Sequence, residues 1–502
     1  MTVRQLLGAL TREMHGPPAA IPADAALDVP CTGIAYDSRK VTRGSVFVAL
    51  PGQKADGAVF ASQAVAAGAI AVVSERADAG AGVPWVVVAN ARLALAHLAA
   101  EFFGHPSRQM KVVGITGTNG KTTTSYLTQA IFEAAGIRCG LMGTVTYRIG
   151  DREVVATRTT PEAPEVQAFM REMVDGGCGA CVMEVSSHAL AMHRVDGIRF
   201  AAAVFTNLTR DHLDFHQDME SYFAAKRRLF EMLPADAPAV VNLDDPRGAS
   251  LVDVAARPVT YSINRDADIT PGPLNFGLEG LAFDIRMPQG TAHVTSKLVG
   301  KPNVYNILAA SGTTAWLGVG TREIEDGLQT LPGVPGRFEV VSSAHDDITV
   351  VVDYAHTDDA LRNLLETARP LAPRRLITVF GAGGDRDRTK RPLMGMVAAR
   401  LSDVVVITSD NPRSEDPVRI IDEVKLGAEP ESRQGKAELL TIVDRRDAIR
   451  KAVELASAGD LLLVAGKGHE KYQEISGRIT PFDDVAIARE ALEARREKSR
   501  VG

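Results

Sequence analysis

Short apolar runs alternate with polar turns and amphipathic stretches along most of the chain, a pattern typical of α/β proteins. In the first hundred residues three apolar runs end in polar turns, and a helical stretch that begins near Ala91 stops at the breaker cluster of residues 104–107. A second breaker cluster, LPGVPG, occupies residues 331–336. The two clusters predict an N-terminal unit over residues 1–108, a central unit over residues 109–336 and a C-terminal unit over residues 337–502.

The central unit begins with an apolar strand that leads into a glycine-rich loop and a helix, KVVGITGTNGKTTT. The glycines allow backbone N–H groups to face an anion, the helix N-terminus adds a positive field, and a lysine supplies a point charge. The common spacing has a glycine where this chain has Ile115, so the loop is a variant, and a glycine-rich turn with a chance GKT is the alternative. We predict an ATP phosphate site formed by Gly117, Thr118, Asn119, Gly120, Lys121, Thr122 and Thr123.

Two further strands of the central unit end in polar residues. The run Ala180 to Val185 carries Glu184, and a later run leads into NLTRDHLDFH. Ligands of open parallel sheets lie at the carboxyl ends of the strands, so we expect these residues beside the phosphate loop. Oxygen-rich surroundings favour Mg²⁺ over zinc on His212 and His216, which lack the HExxH pattern. A hairpin over Leu281 to Leu298 is predicted as an addition to the main sheet.

The C-terminal unit repeats one arrangement four times, an apolar strand followed by a polar loop. This predicts a second doubly wound, Rossmann-like sheet with its loops on one edge. Arginines and carboxylates together suit a zwitterionic ligand, and the alternative is ordinary solvated charge. The four loops are residues 353–356, 381–387, 410–413 and 466–470.

The composition is that of an ordinary globular protein, with 45% hydrophobic and 24% charged residues and a net charge of −6. The charge balance is not basic, so we expect no nucleic-acid partner. The sequence has neither a signal-peptide pattern nor an apolar run of membrane-spanning length, so we expect no membrane association and a cytoplasmic location. Four cysteines are too few for a disulfide framework, and we predict buried thiols, including the single CxxC of Cys178 and Cys181.

These motifs resemble the Mur ligase family over essentially the whole chain. The resemblance rests on their number and order: GTNGKTT, RTTPEA, MEVSSHAL, NLTRDHLDFH, YFAAKRRLF, GKPNVYN, GRFE, DYAHT, GGDRDRTKRPLMG, DNPR and GKGHE. It implies a three-domain α/β protein with a central P-loop ATPase domain, a Rossmann-like C-terminal domain and a small α/β N-terminal domain that binds a UDP-substrate.

The resemblance also implies an activity. Members of this kind use ATP and Mg²⁺ to join an amino acid to the D-glutamate γ-carboxylate of UDP-N-acetylmuramoyl-L-alanyl-D-glutamate, through an acyl phosphate, in peptidoglycan precursor synthesis. In the family, DNPR marks the enzymes that add meso-2,6-diaminopimelate rather than L-lysine. A monomer is expected.

Roles for individual residues follow only from the resemblance. Besides the phosphate loop, ATP would be held by Asn303, Arg337, Asp353 and His356. The UDP-muramoyl dipeptide would be held by Tyr36, Ser38, Thr159, Thr160, Ser186 and Arg194. Diaminopimelate would be held by Arg386, Asp410, Asn411, Pro412, Arg413, Gly466 and Glu470. The magnesium-site residues would be Thr122, Glu184, His212 and Lys226, and the catalytic residues Lys121, Lys226 and His212.

Lys226 matches the lysine that the family carbamylates to N6-carboxylysine. A neutral amine can capture CO₂ and become an anionic oxygen ligand, whereas a surface lysine in AAKRRLF would stay protonated. The residues alone favour the surface lysine, and the resemblance reverses this.

The chain departs from the family pattern at three positions. Met192 stands where relatives commonly have glutamine, Asp358 where a proline is usual, and Ala382 where a cysteine is common. The first puts one polar contact of the dipeptide site in doubt, and we expect activity to survive the other two.

Alternative functions differ in their products. A lysine-adding ligase or a folylpolyglutamate synthetase shares the ATP chemistry, but DNPR argues against the first, and RTTPEA and MEVSSH against the second. A regulatory P-loop NTPase would hydrolyse ATP regardless of amino acid, and a small-molecule kinase would release a stable phosphorylated product.

Overall fold

The computed structural model describes residues 1–13, 25–52, 56–77, 80, 82–435 and 437–501. The N-terminal part is a four-stranded parallel sheet in the order β1-β2-β3-β4, covered by helices. Its strands are β1 Gly33–Ala35, β2 Ser45–Ala49, β3 Ala71–Ser74 and β4 Trp85–Val87, and its helices are α1 Val3–Glu13, α2 Ala61–Ala66 and α3 Ala91–Phe102. Helix α3 ends two residues before Gly104, as the breaker cluster predicts.

The central part is built on an eight-stranded sheet in the order β12-β11-β10-β5-β9-β6-β7-β8. Strands β12 to β6 of this order run parallel, and β7 and β8 add an antiparallel edge that the sequence did not suggest. The strands are β5 Lys111–Thr116, β6 Cys139–Met142, β7 Thr146–Ile149, β8 Arg152–Val155, β9 Ala180–Glu184, β10 Ala202–Phe205, β11 Ala239–Asn242 and β12 Pro258–Tyr261. The strand before the phosphate loop, β5, lies between β10 and β9 in the middle of the sheet.

Helices cover both faces of this sheet. They are α4 Lys121–Ala134, α5 Ala163–Asp175, α6 Ser187–Ala191, α7 Leu213–His216, α8 Met219–Glu231 and α9 Gly248–Val252, followed along the chain by α10 Lys301–Trp316 and α11 Thr321–Thr330. The apolar side chains of α4 and α10 join one core cluster with β5 and β9. Helix α4, which starts at the phosphate loop, is thereby fixed by packing on both sides.

The predicted hairpin forms, but not in the main sheet. Strands β15 Gly280–Met287 and β16 Gly290–Ser296 pair antiparallel and belong to a separate four-stranded sheet with β13 Thr270–Pro271 and β14 Asn275–Gly277. Buried and exposed residues alternate along both strands, so one face covers the core shared with α10 and α11. Alternation predicted the strands correctly, but it does not determine which sheet they join.

The C-terminal part is a six-stranded sheet in the order β17-β18-β22-β19-β20-β21, parallel except for the edge strand β17. Its strands are β17 Glu339–Val340, β18 Thr349–Asp353, β19 Leu376–Phe380, β20 Val404–Ile407, β21 Glu438–Thr441 and β22 Leu461–Ala465, followed by the hairpin β23 Tyr472–Ile475 and β24 Arg478–Pro481. Its helices are α12 Asp358–Ala368, α13 Lys390–Leu401, α14 Pro417–Ser432, α15 Arg445–Leu455 and α16 Asp484–Val501. The four predicted polar loops all follow parallel strands of this sheet.

Three parallel sheets in three successive parts of the chain confirm the predicted α/β class. The exact boundaries at residues 108/109 and 336/337 stay predictions. All four cysteines are buried and free, as predicted for structural thiols. Within the described ranges, no helix combines the length and the apolar character needed to cross a bilayer.

Candidate active site

The phosphate loop joins β5 to α4 and depends on two glycines with positive φ. A Cβ atom on Gly117, whose φ is +149°, would lie 1.9 Å from the Thr206 hydroxyl oxygen. A Cβ atom on Gly120, whose φ is +88°, would lie 2.4 Å from the side-chain oxygen of Asn306. Both the backbone conformation and the close approach of neighbouring segments therefore require glycine at these positions.

Gly117→Ala should consequently lower the free energy of unfolding by roughly 4 kcal/mol, because the strained φ and the collision with Thr206 act together. The matched control is Gly136→Ala, at the end of the same helix. Gly136 also has positive φ, at +72°, but an added Cβ would meet no atom within 4 Å. The control should cost only the left-handed strain, about 1 to 2 kcal/mol. Urea unfolding measures both, and equal losses would contradict the steric argument.

The Lys121 side chain curls back over the loop that precedes it. Its ammonium group donates to the carbonyl oxygens of Gly117 at 2.9 Å and Thr118 at 2.8 Å. Burial lowers the pKa of Lys121, while Glu184 and Asp211 act in the opposite direction. The positive charge is thus held at the mouth of the loop, where a phosphate would lie.

Lys226 is buried, contrary to what its surrounding AAKRRLF sequence indicates. It projects from α8, is 1% exposed, and donates from Nζ to the Gly117 carbonyl oxygen at 2.7 Å. Its Nζ also lies 4.4 Å from the centre of the Tyr222 ring. Burial and the nearby Lys121 charge lower the pKa of Lys226 well below its ordinary value. This environment favours the neutral amine, the form that can react with CO₂.

Glu184 lies at the end of β9, next to the phosphate loop. Its partner residue in β5 is Ile115, and it is 1% exposed. The Thr144 backbone N–H donates to one carboxylate oxygen at 2.8 Å, and the Thr144 hydroxyl donates to the other at 2.9 Å. Thr144 therefore fixes the orientation of a buried carboxylate, as a residue supporting a metal ligand would.

His212 lies beside the other histidines of the central part. It has a positive φ of 55°, and its ring centre is 4.9 Å from that of His188. Burial lowers the pKa of His212 to about 3, against the effect of Asp211. The imidazole is therefore neutral at physiological pH and free to act as a ligand or hydrogen-bonding group. His216 instead bonds the Ser187 hydroxyl at 2.9 Å.

No group of three or more His, Cys, Asp or Glu side chains in the described ranges is arranged to hold a metal ion. The predicted magnesium set contains only two such residues, Glu184 and His212. Thr122 contributes a hydroxyl, and Lys226 would contribute oxygen only as a carbamate. The predicted set is therefore incomplete by itself, and a magnesium ion on it would need phosphate oxygens and water as further ligands.

The C-terminal part contacts the phosphate loop directly. Arg337 donates to the Thr122 hydroxyl at 3.1 Å, and its guanidinium carbon lies over the Tyr354 ring, 4.6 Å from the ring centre. Asp353 accepts from the Phe338 N–H at 2.7 Å, which fixes the segment carrying Arg337. Asp359 accepts from the Asn119 side chain at 2.9 Å. Of the predicted ATP residues, Arg337 thus reaches the start of α4, and Asp353 fixes the segment that carries Arg337.

The remaining two predicted ATP residues make no side-chain hydrogen bond to the loop in the described part of the chain. His356 hydrogen-bonds the Tyr354 carbonyl at 2.8 Å, and burial lowers its pKa to about 4. Asn303 donates to the Val299 carbonyl at 2.8 Å and accepts from Asn306 at 2.9 Å. Of the two asparagines in GKPNVYN, it is Asn306 that reaches the phosphate loop.

The residues predicted for the dipeptide lie where the N-terminal and central parts meet. Tyr36 donates to Glu165 at 2.8 Å, and Ser38 donates to Gln63 at 3.1 Å. The Thr160 hydroxyl donates to the Glu184 carbonyl at 2.8 Å and accepts from the Ser186 N–H at 3.1 Å. These contacts tie this surface to the strand that carries Glu184.

Arg194 completes this surface. It donates to the Thr160 carbonyl at 3.1 Å and pairs with Glu162 at 2.8 Å, while the Thr159 hydroxyl lies 3.1 Å from that of Thr144. The NH2 atom of Arg194 also lies 3.4 Å from the Met192 sulfur. A thioether is a weak acceptor, so Arg194 is held by Glu162 and the Thr160 carbonyl rather than by Met192.

The loops of the C-terminal sheet bring opposite charges together. Asp410 is nearly buried, and its Oδ2 has no hydrogen-bond partner among the described residues. A Cβ atom on Gly466, whose φ is +118°, would lie 2.7 Å from that oxygen. Glu470 accepts from the Asn411 amide at 2.8 Å, and burial raises its pKa. A buried carboxylate oxygen without a donor is a place for an ammonium group.

Arginines lie in the same loop cluster. A Cβ atom on Gly383 would lie 3.1 Å from the Arg413 NH1 atom and 3.9 Å from the Arg386 Cγ atom. Arg413 has a positive φ of 52° and donates to the Gly384 carbonyl at 2.7 Å. Pro412 packs on this loop, because its carbonyl would lie 1.9 Å from a Cβ on Gly384. All the predicted amino-acid residues thus lie on adjacent loops.

The other two departures from the family pattern, Asp358 and Ala382, lie at a helix start and in the C-terminal core. Asp358 is the first residue of α12, where Thr357 caps the helix. Proline and aspartate are both favourable in a first helical turn, so the replacement costs little. Ala382 is a small buried residue of the C-terminal core.

Several residues of the site were not predicted from the sequence. Their side chains contact the phosphate loop, Glu184 or the amino-acid loops, but the residues alone gave none of them a role. They are Thr144, Thr206, Asn207, Tyr222, Asn306, Asp359 and Lys467. Four of them, Asn207, Tyr222, Asn306 and Lys467, lie inside quoted motifs, and that position was the only available signal.

The comparisons with known proteins agree with this arrangement. Family models match residues 30–103 (Mur ligase family, catalytic domain), 115–314 (Mur ligase middle domain) and 336–468 (Mur ligase, glutamate ligase domain). A UDP-N-acetylmuramoyl-L-alanyl-D-glutamate--2,6-diaminopimelate ligase from Solibacter usitatus is 48% identical over 465 residues, 92% of this chain and 93% of that one. The chain belongs to the Mur ligase family. The relative of the same name from Gloeobacter violaceus is also 48% identical, over 94% and 96% of the two chains.

Solved structures extend the comparison to the fold. A UDP-N-acetylmuramoyl-L-alanyl-D-glutamate--2,6-diaminopimelate ligase structure covers 99% of this Mur ligase at 36% identity, with all of that chain matched and a TM-score of 0.70. The MurF ligase of Thermotoga maritima in complex with ADP matches at 20% identity and a TM-score of 0.63, over 93% and 98% of the chains. The predicted three-domain Mur ligase fold is confirmed.

Proposed function

We propose that this Mur ligase joins meso-2,6-diaminopimelate to the D-glutamate γ-carboxylate of UDP-N-acetylmuramoyl-L-alanyl-D-glutamate, with ATP as co-substrate. The observation that carries the choice of amino acid is the C-terminal loop cluster, which contains Arg386, Arg413 and the unpaired oxygen of Asp410. A second ammonium and a second carboxylate distinguish diaminopimelate from most amino acids, and this cluster offers partners for both. The names of the relatives support the same substrate pair.

The reaction begins at the phosphate loop. The γ-carboxylate attacks the γ-phosphorus of ATP, ADP leaves, and an acyl phosphate forms. Lys121, held over the loop by the Gly117 and Thr118 carbonyls, stabilises the charge on the transferred phosphoryl group. Arg337 binds the nucleotide from the C-terminal side, next to Thr122. Catalysis at this step is mainly positioning and electrostatic stabilisation.

The amide then forms from the acyl phosphate. A neutral amine of diaminopimelate attacks the acyl carbon, the tetrahedral intermediate expels inorganic phosphate, and the amine loses a proton. The amino-acid loops at the carboxyl ends of the C-terminal strands hold the rest of diaminopimelate through Asn411, Arg413 and Glu470. The dipeptide substrate is held by Tyr36, Ser38, Thr159, Thr160, Ser186 and Arg194.

The oxygen atoms of Thr122 and Glu184 fit Mg²⁺ that arrives with the nucleotide. When bound, Mg²⁺ would supply charge neutralisation for the phosphate oxygens. Thr144 keeps both Glu184 oxygens oriented for this task. His212 is neutral because burial lowers its pKa, so its ring has a lone pair available for a ligand.

Lys226 is proposed as N6-carboxylysine. Its neutral amine attacks CO₂, forms a carbamate and releases a proton, which converts a buried neutral group into a buried anion. The carbamate N–H can keep the present hydrogen bond to the Gly117 carbonyl. The negative charge would face Lys121, which now contributes to lowering the Lys226 pKa. The modification would therefore place a negative charge beside the Lys121 ammonium, where opposite charges attract.

Product analysis tests the substrate assignment. Purified enzyme with ATP, Mg²⁺ and UDP-N-acetylmuramoyl-L-alanyl-D-glutamate should release ADP and form a tripeptide with meso-diaminopimelate, but not with L-lysine or without amino acid. Mass spectrometry identifies the product. Tripeptide formation only with lysine would identify a lysine-adding ligase, and equal ADP release in all three reactions without a new amide would identify a regulatory NTPase. We also propose that the enzyme is a monomer and that it works in the cytoplasm.

A further inference from the structure

Lys467 is a fully buried lysine in the amino-acid loop cluster. Its side chain is 0% exposed, and Nζ donates to the Asn411 side-chain oxygen at 3.0 Å and to Glu470 Oε2 at 3.1 Å. Nζ also lies 5.4 Å from the centre of the Tyr472 ring. A buried ammonium is costly unless its hydrogens have partners, so its position is set by these two side chains.

The contacts of Asn411 fix which end of its amide faces which neighbour. The Glu474 backbone N–H donates at 3.0 Å to the same oxygen that accepts from Lys467. The Asn411 Nδ2 atom donates to Glu470 Oε2 at 2.8 Å. Because an ammonium and a backbone N–H can only donate, the atom facing them must be oxygen, and the NH₂ group must face Glu470.

If the Asn411 amide were reversed, donors would face donors on one side and an acceptor would face an acceptor on the other. Its NH₂ group would face Lys467 and the Glu474 N–H, and its oxygen would face the Glu470 carboxylate. Within the described part of the chain, Nδ2 donates to Glu470 alone. Its second hydrogen remains available for an acceptor on a ligand, such as a carboxylate.

We propose that Lys467 is a positioning residue that fixes the Asn411 amide with its N–H toward the amino-acid site, and so favours an amino acid that carries a second carboxylate. The inference rests on the proposed function, because it concerns the diaminopimelate site. Lys467 acts through Asn411 and Glu470 and is not itself proposed to touch the substrate.

The charge on Glu470 depends on Lys467. Burial raises the pKa of Glu470, and the Lys467 ammonium opposes this rise. The other ionisable groups that face Glu470 are Asp410, which raises its pKa, Arg445 from α15, Tyr354 after β18 and Tyr472 at the start of β23. Without Lys467, nothing from that ammonium opposes the rise in the Glu470 pKa, and a protonated Glu470 carboxyl group could donate to a reversed amide.

The test variant is Lys467→Met, and the matched control is Lys471→Met. Lys471 lies in the same loop but is exposed and pairs with Asp483 at 2.8 Å. We expect the KM for meso-diaminopimelate to rise about 10- to 100-fold in the Lys467→Met protein, the value of one hydrogen bond to a charged group. The kcat of the Lys467→Met protein should stay within about threefold of the wild-type value, and its KM for ATP should be unchanged. The Lys471→Met protein should have wild-type values of all three constants. An unchanged KM for diaminopimelate would overturn the inference.

The pH dependence separates positioning from general damage. The ratio of variant to wild-type KM should fall toward one as the pH is raised, because Glu470 ionises again and restores the amide orientation. A ratio that does not depend on pH would indicate a merely structural role. Wild-type enzyme that forms no tripeptide with diaminopimelate would instead disprove the proposed function, so the two failures are distinguishable.

A second variant keeps the inference testable if the first does not fold. Lys467→Gln removes the charge but retains an N–H group that can donate to the Asn411 oxygen. Preference for diaminopimelate over L-lysine should therefore be retained to within about threefold, with a smaller rise in KM. Loss of that preference in a folded Lys467→Gln protein would show that a donor at this position does not set the amide orientation.

Discussion

Methionine in place of Lys121 is expected to slow ADP release by about 10³-fold or more, with little change in stability. The ammonium bonds two carbonyls of its own phosphate loop and has no anionic partner within that loop, so its charge is available to the phosphates of ATP. Methionine fills a similar volume and removes only the charge and the donors. Coupled-assay kinetics with the dipeptide substrate and diaminopimelate measure the loss.

Two variants control this result. Lys121→Arg keeps the charge but brings a wider planar group, and we expect it to remain at least about tenfold impaired because the two carbonyls suit a point charge. Lys451→Met removes a surface lysine that pairs with Glu454 and should leave activity unchanged. Activity above a tenth of wild type in Lys121→Met would exclude a direct role in phosphoryl transfer.

Alanine in place of Lys226 should reduce the rate by about 10²- to 10³-fold, because both the carbamate oxygens and the hydrogen bond to Gly117 are lost. Acetate or another small carboxylate should restore part of the activity by occupying the space left by the side chain. The wild-type enzyme should lose activity when CO₂ is stripped from the buffer and regain it with bicarbonate. Intact-protein or crystallographic analysis would detect the added carboxyl group.

Lys226→Arg distinguishes a carbamate from a plain cation. A guanidinium group keeps its proton at any accessible pH and cannot capture CO₂, so this variant should be as inactive as the alanine variant. It should also resist rescue, because the arginine side chain fills the pocket. Substantial activity in Lys226→Arg would show that the site needs a positive charge there, and the carbamate proposal would fail.

Local patterns in the sequence were sufficient to predict the phosphate loop. Strand, glycines, lysine and helix are contiguous in KVVGITGTNGKTTT, so one segment contains the whole signal. The burial of Lys226 could not be predicted in this way. It depends on α8 packing against a loop 109 residues earlier in the chain, and AAKRRLF has the charge of a surface helix. Only the resemblance to the family indicated its role.

The same distinction applies to the remaining elements. Alternation predicted the hairpin of β15 and β16, but the choice of sheet depends on which neighbouring edge is free and which face α11 covers. The four loops of the C-terminal sheet were predictable because carboxyl ends of parallel strands lie together. The Lys467 contact to Asn411 was not, because the two residues are 56 positions apart and meet only through the strand order β22-β19-β20.

The phosphate loop also has a consequence for synthesis of the chain on the ribosome. Its geometry relies on Asn207, Lys226 and Asn306, which are 88, 109 and 182 positions away from the residues they contact. A nascent chain whose emerged part ends before Asn207 contains the complete GTNGKTT motif but lacks all three supports, and the last of them arrives only with α10. Nucleotide can therefore assist folding only after most of the central part has been translated, and until then we expect the exposed edges of β5 to depend on chaperones for protection.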